Sequence, residues 1–293
     1  RGCGAMTGRA SFVCLAVALA AGAPARAQDA PTFRSSTEVV RVDVLATVDG
    51  RPVRGLGPGD FEVTDSGVAQ VVDLVSFEQL PLNVVLAFDL SESVSGERLA
   101  HLTAASRAVL ARLERSDQVA LVSFSHVVAP GAGLTTDAST IARALEDAVP
   151  GGETSLVDAT YTALLVGESD VGRSLVIVFS DGVDTASWLQ AERVLDIAKR
   201  TDAVVYSVAV RSVAVSPFLR EMAEQTGGRQ FTVDSTRDLG AAFEGILDEF
   251  RRRYVIGFTP RGVPAGGWHP LVVRIKGQRA TTRARPGYLA GGG

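Results

Sequence analysis

Cysteine is nearly missing from these 293 residues: Cys3 and Cys14 are the two, both close to the start. So few thiols exclude a disulfide framework and a cysteine metal centre, and packing has to stabilise the fold. Histidine is scarce too, with His101, His126 and His269 scattered over separate segments. That leaves little material for a base–nucleophile pair, and all three are expected to be structural or solvated. The two tryptophans, Trp188 and Trp268, are isolated and expected to be partly buried. No apolar run is long enough to cross a bilayer; the one from Phe12 to Ala21 has ten residues. Arg9 precedes that run and Ala25-Arg26-Ala27 follows it, so residues 1–27 are read as a cleavable secretory signal cut after Ala27, with the mature chain periplasmic or secreted. Its loss removes three arginines and no acids, leaving 26 basic against 33 acidic residues and a formal charge of −7. A nucleic-acid partner would want a basic face, and none is expected here.

What is present falls into three zones. From residue 28 to 80 the pattern is β: Val40, Val42, Val44, Ala46 and Val48 alternate with more polar residues, Asp49-Gly50 offers a hairpin turn, and "DFEVT" and "AQVVDLVSF" follow around Asp65-Ser66-Gly67. From 81 to 253 strands and helices alternate, which predicts an α/β, doubly wound, mostly parallel sheet covered on both faces. Its strands are read at "LNVVLAFD", "QVALVSFS", "SLVIVFSD", "AVVYSVAV" and "RQFTV". From 254 to 293 short strands return at "YVIGFT" and "PLVVRIK". The β pattern itself runs from Glu38 to about Glu78 and from Tyr254 to Tyr288, about 40 and about 35 residues, each too small for a core of its own. The two zones are expected to pack together as a small accessory β-sandwich.

The chemistry gathers where strands end. In open α/β sheets ligands bind beyond the carboxyl ends of the strands. "VVLAFDLSES" closes a buried run with Asp89, Ser91 and Ser93, three oxygen side chains at spacing two. "SLVIVFSDGVD" closes another with Asp181, and between them "PGGETSLVDA" carries Thr154 on a double-glycine loop leading into a helix. Each alone is an ordinary turn or cap signal. Together they form a set of oxygen donors for a hard cation such as Mg²⁺, which takes near-octahedral oxygen ligands at about 2.0–2.1 Å. With only two formal negatives among the donors, such a site stays electrophilic and can accept one more carboxylate. Asp158 is expected to cap or salt-link its own helix, and Asp184 to close the turn after Asp181.

Over residues 82–253 these three parts resemble the metal-ion-dependent adhesion site (MIDAS) of von Willebrand factor type A domains, a Rossmann-like fold. The resemblance implies that Ser91, Ser93 and Thr154 contact the metal directly, while Asp89 and Asp181 act through water or hydrogen bonds. It implies Mg²⁺, with Mn²⁺ or Ca²⁺ as alternatives, and a protein partner presenting Asp or Glu to the metal. Members of that family can couple such a bond to movement of the last helix, and the matching segment here is Leu239 to Arg253. The flanks "GRPVRGLGPGDFEVTDSGV", "TGGRQF", "YVIGFTP" and "RPGYL" look like a bacterial group of secreted relatives. One departure is Glu153, which stands between the glycine pair and Thr154 and adds a charge or shifts the loop. The expected role is therefore an extracytoplasmic, non-enzymatic adhesion module. A metal-dependent hydrolase or phosphoryl-transfer enzyme is the alternative, although no G-x-x-x-x-G-K-[ST] loop or G-x-S-x-G elbow is present. A scaffold whose metal only stiffens loops is the third.

Overall fold

The computed structural model describes residues 39–77, 80–169, 171–211 and 216–291. The secretory-signal expectation, its cleavage point and both cysteines lie outside the described residues. Five strands come first: β1 (Val40–Val48), β2 (Arg51–Pro52), β3 (Phe61–Asp65), β4 (Val68–Gln70) and β5 (Val72–Ser76). The alternation in β1 puts Val42, Val44 and Ala46 inside, each 1% exposed or less. Asp49 and Gly50 (φ 49° and 74°) and Ser66 and Gly67 (φ 49° and 84°) take the left-handed backbone that two-residue hairpin turns require. "AQVVDLVSF" is two strands, not one: β4 and β5 break at Val71, which is 63% exposed, and belong to different sheets.

The central region then runs β6 (Leu82–Asp89), α1 (Glu97–Leu110), β7 (Gln118–Phe124), β8 (Val128–Thr135), α2 (Ala138–Glu146), α3 (Leu156–Gly167), β9 (Arg173–Phe179), α4 (Ala191–Ala198), β10 (Val204–Val210), α5 (Pro217–Gln225), β11 (Gln230–Val233) and α6 (Leu239–Arg251). Its sheet has the order β11-β10-β9-β6-β7-β8. All pairings are parallel except that of β8 with β7. Strand residues alternate between two cores: Val84, Leu86 and Phe88 face α1, α2 and α6, while Val85 and Ala87 face α3, α4 and α5. Every residue of β6 is buried, and a fully buried Val, Leu or Phe contributes about 1.5–3 kcal/mol. Phe88 also stacks on Phe243 of α6, centroids 5.5 Å apart and planes 6° from parallel.

Four strands close the chain: β12 (Tyr254–Phe258), β13 (Gly267–Ile275), β14 (Thr281–Arg283) and β15 (Gly287–Ala290). Strands from the two chain ends are hydrogen-bonded neighbours. β12 lies between β1 and β5, β14 extends β1, and β13 pairs with β3, all antiparallel. A third hydrophobic cluster joins Val42, Val44, Phe61, Val63, Tyr254, Ile256, Leu271 and Val273. His269 is buried in this region, its Nδ1 2.9 Å from Asp65, which also accepts from the Tyr288 hydroxyl at 2.8 Å. Only two residues separate α6 from β12, and one of them, Arg253, is 1% exposed. Its guanidinium donates to the Tyr206 hydroxyl at 2.8 Å and to the Gly227 carbonyl at 2.6 Å. Among the described residues no helix is long and apolar enough to cross a membrane.

Candidate metal centre

β6 and β9 are adjacent parallel strands in register, with Phe88 opposite Phe179. The chain leaves β6 toward β7 on one side and reaches β9 on the other, so strand order reverses between them and a crevice opens at their carboxyl ends. Asp89 ends one strand, and Ser180 and Asp181 follow the other. Asp89 is fully buried: its Oδ1 accepts from the Ser91 amide at 2.8 Å and its Oδ2 from the Ser180 hydroxyl at 2.7 Å. Burial pushes its carboxyl above the usual carboxylate range; the bonds from Ser91 and Ser180 pull it back, and the charge of Asp181 pushes it up again.

The hydroxyls converge on the same spot. Ser93 Oγ donates to Asp181 Oδ1 at 2.6 Å and lies 3.0 Å from Ser91 Oγ. The Gly151–Gly152 loop is pinned beside them, Gly151 N donating to the Leu90 carbonyl at 2.8 Å and Glu92 N to the Gly152 carbonyl at 3.2 Å. Gly152 has φ +79°, which favours glycine, and a methyl there would press on the exposed His126 ring, its Nδ1 2.2 Å away. Glu153 points to solvent while Thr154 stays 6% exposed. Thr154 Oγ1 reaches the third loop, 3.6 Å from where a methyl on Gly182 would sit. The five side chains singled out from sequence thus share one rim. Among the described residues no group of three His, Cys, Asp or Glu is gathered for a metal, so a centre here depends on the hydroxyls. Two carboxylates and three hydroxyls form an all-oxygen set, which suits a hard divalent cation. Burial of Asp89 beside Asp181 disfavours its charged form, a cost that a neighbouring cation would offset.

Four side chains at this rim have roles that sequence spacing did not indicate. Ser180 bonds Asp89 and also accepts from the Gly182 amide at 3.2 Å, fixing the loop after β9 against the end of β6. Asp184 Oδ1 accepts from the amides of Leu156 and Val157 at 2.8 and 3.2 Å, so the start of α3 is capped from another loop and not by Thr154 or Ser155. Asp158 does not serve its own helix: its two oxygens accept from the amides of Trp188 and Leu189 at 3.0 and 2.9 Å. Trp188 is 93% exposed, contrary to the partial burial expected of it, because the loop is pinned through its backbone and its ring faces outward. Arg98, in the first turn of α1, donates to Asp181 Oδ2 at 2.6 Å and to the Ser93 carbonyl at 3.1 Å.

Known proteins give this geometry a context. Inter-alpha-trypsin inhibitor heavy chain H2 of Mesocricetus auratus is 21% identical over 207 residues, 65% of this chain and 22% of its own length. Proximal thread matrix protein 1 from the mussel byssus superposes with a TM-score of 0.53 at 18% identity, over 62% of this chain and 49% of that one. The same protein, solved with a zinc-occupied MIDAS motif, gives 0.53 at 17%, over 62% and 48%. The chain therefore spans about a fifth of the curated relative and about half of the thread protein, and these structural likenesses speak to fold. The model of the von Willebrand factor type A domain matches residues 83–245, more than half of the sequence and all of the rim. With its parallel sheet, helices on both faces and matching strand-end loops, the chain belongs to the von Willebrand factor type A domain family.

Proposed function

We propose that this chain is a metal-dependent protein-interaction module acting outside the cytoplasm, with Ser91, Ser93 and Thr154 as direct ligands of a divalent cation and Asp89 and Asp181 holding it through water or hydrogen bonds. The observation that carries this is the gathering of three loops at one rim: Ser93 Oγ lies 3.0 Å from Ser91 Oγ and 2.6 Å from Asp181 Oδ1, and Thr154 sits beside Gly182. Mg²⁺ is the proposed ion, with Mn²⁺ or Ca²⁺ as alternatives, because all the donors are oxygen. Bound there, it supplies Lewis acidity toward an incoming carboxylate, and the partner is proposed to be a protein that presents Asp or Glu. The thread protein's zinc-occupied MIDAS supports a cation on this fold.

The residues divide the work. Ser180 and the Ser91 amide each donate to one oxygen of Asp89, which fixes that carboxylate at the strand end and leaves each oxygen a further lone pair for metal-bound water. Asp184, Ser187 and Asp158 tie the 181–189 loop to α3, so the rim is rigid before a partner arrives. In this proposal residues 81–253 are the binding domain, residues 28–80 and 254–293 form one accessory β-sandwich, and residues 1–27 direct export. The pairing of β1, β3 and β5 with β12 and β13 around one apolar cluster supports the sandwich.

Calorimetric titration with Mg²⁺ tests the site. Wild-type chain should bind one ion, and Ser93→Ala and Thr154→Ala should each weaken binding. Equal uptake in all three would end the proposal. Capture of envelope proteins on immobilised chain, with and without EDTA and repeated with Ser93→Ala, tests the partner: a protein retained equally in every arm is not held through the metal.

A further inference from the structure

Asp181 and Asp89 are both buried acids, yet among the described residues only Asp181 has a cation beside it. Asp181 has a side chain 1% exposed, and Arg98, with 46% of its own exposed, reaches in from the first turn of α1 to bond Asp181 Oδ2. The same Nη1 donates to the Ser93 carbonyl, so the guanidinium is anchored on two of the three loops that make the rim. The neighbouring acid on α1, Glu97, is turned away toward Arg237 at 3.9 Å. Asp89 instead relies on two hydrogen bonds, and its carboxyl is raised.

We infer that Arg98 is a resident competitor of the divalent cation, a positive charge of the chain's own that neutralises Asp181 in the metal-free rim and sets how tightly metal is taken. This rests on the proposed cation site. The Ser93–Asp181 bond does not conflict with a metal, because a serine hydroxyl can donate to a carboxylate while its lone pairs face a cation. The Arg98–Asp181 bond does conflict. It spends a buried carboxylate on a monovalent group and leaves a positive charge next to where a divalent ion would sit. Because Arg98 is half exposed and α1 begins only one residue before it, the side chain can swing into solvent without disturbing the helix. Water and salt screen its charge once it has left. Arginine at this place thus keeps the apo rim ordered and raises the cation concentration needed to load it.

The test is calorimetric titration of the EDTA-stripped full chain with Mg²⁺ and with Mn²⁺, alongside thermal melting in EDTA, for wild type, Arg98→Gln and Arg98→Lys, with Glu97→Gln as a surface-charge control. Expected is a dissociation constant about tenfold tighter in Arg98→Gln, equivalent to about 1.4 kcal/mol, together with a lower metal-free melting temperature. Arg98→Lys keeps the charge and should fall between, and Glu97→Gln should match wild type. An unchanged or weaker constant in both Arg98 variants, with cooperative melting retained, overturns the inference: Arg98 then only braces the loops. If no chain takes up Mg²⁺ or Mn²⁺, the cation site fails and the competition fails with it.

Discussion

Replacing Asp89 with asparagine separates what the carboxylate does for metal from what it does for the fold. The side chain is fully buried and makes two hydrogen bonds. An asparagine carbonyl can still accept from the Ser91 amide, and its NH₂ can donate to Ser180, so the network survives with its direction reversed at one link. The charge does not survive. An acid whose folded-state pKa lies above its unfolded value contributes stability below the unfolded value and loses it as pH rises through the folded one. Near pH 7 without metal, Asp89 is therefore a cost, and Asp89→Asn should melt at or slightly above wild type, within about 1 kcal/mol. With metal the order should reverse. A ligand at 100 times its dissociation constant stabilises by about 2.7 kcal/mol, and a domain of this size gains about 2–4 °C per kcal/mol. Wild type should thus rise by about 5–11 °C in saturating Mg²⁺ while the variant stays flat. Differential scanning fluorimetry of both chains, in EDTA and in Mg²⁺, reads the four values. A variant that still rises with Mg²⁺, or that melts several degrees low in EDTA, would refute the charge argument.

Three further outcomes can be measured independently. Ser180→Ala removes the donor to Asp89 Oδ2 inside a buried site, which should cost about 1–3 kcal/mol in urea unfolding at unchanged slope. Asp158→Ala frees the amides of Trp188 and Leu189; limited proteolysis should cut within 182–190 much faster while the melting temperature moves little. Burial would raise the Glu249 carboxyl, but hydrogen bonds and charge from Arg229 and the Tyr206 hydroxyl outweigh it and hold it below the usual range. The stability it contributes is present above its unfolded pKa and is lost as pH falls through the lower folded value, so Glu249→Gln should flatten the acid limb of a melting-temperature profile.

The parallel strands and their rim acids are legible in sequence because apolar residues run unbroken up to a sudden carboxylate, as at Phe88-Asp89. β8 is hidden because Pro130, Gly131 and Gly133 read as loop; the structure allows them since β8 is an antiparallel edge strand whose register with β7 shifts twice. α5 is short but does carry a start signal, Ser216 as its N-cap before Pro217. The support around the rim was not legible at all. Asp158 bonds residues 30 and 31 places away, Asp184 bonds 27 and 28 away, and Arg98 meets Asp181 across 83 positions, distances at which local spacing carries no information. Trp188 shows the same limit from the other side: its outward ring follows from distant bonds to its backbone.

The tie between α6 and β12 has a mechanical consequence. α6 presses Phe243 on Phe88, one residue before Asp89, and two residues past its other end the chain is already a strand held between β1 and β5. Arg253 rivets that junction to Tyr206 and Gly227. An axial slide of the helix would have to strip β12 from two neighbours at once, so load applied to the terminal sheets and strain arising near Asp89 are carried along the same rod.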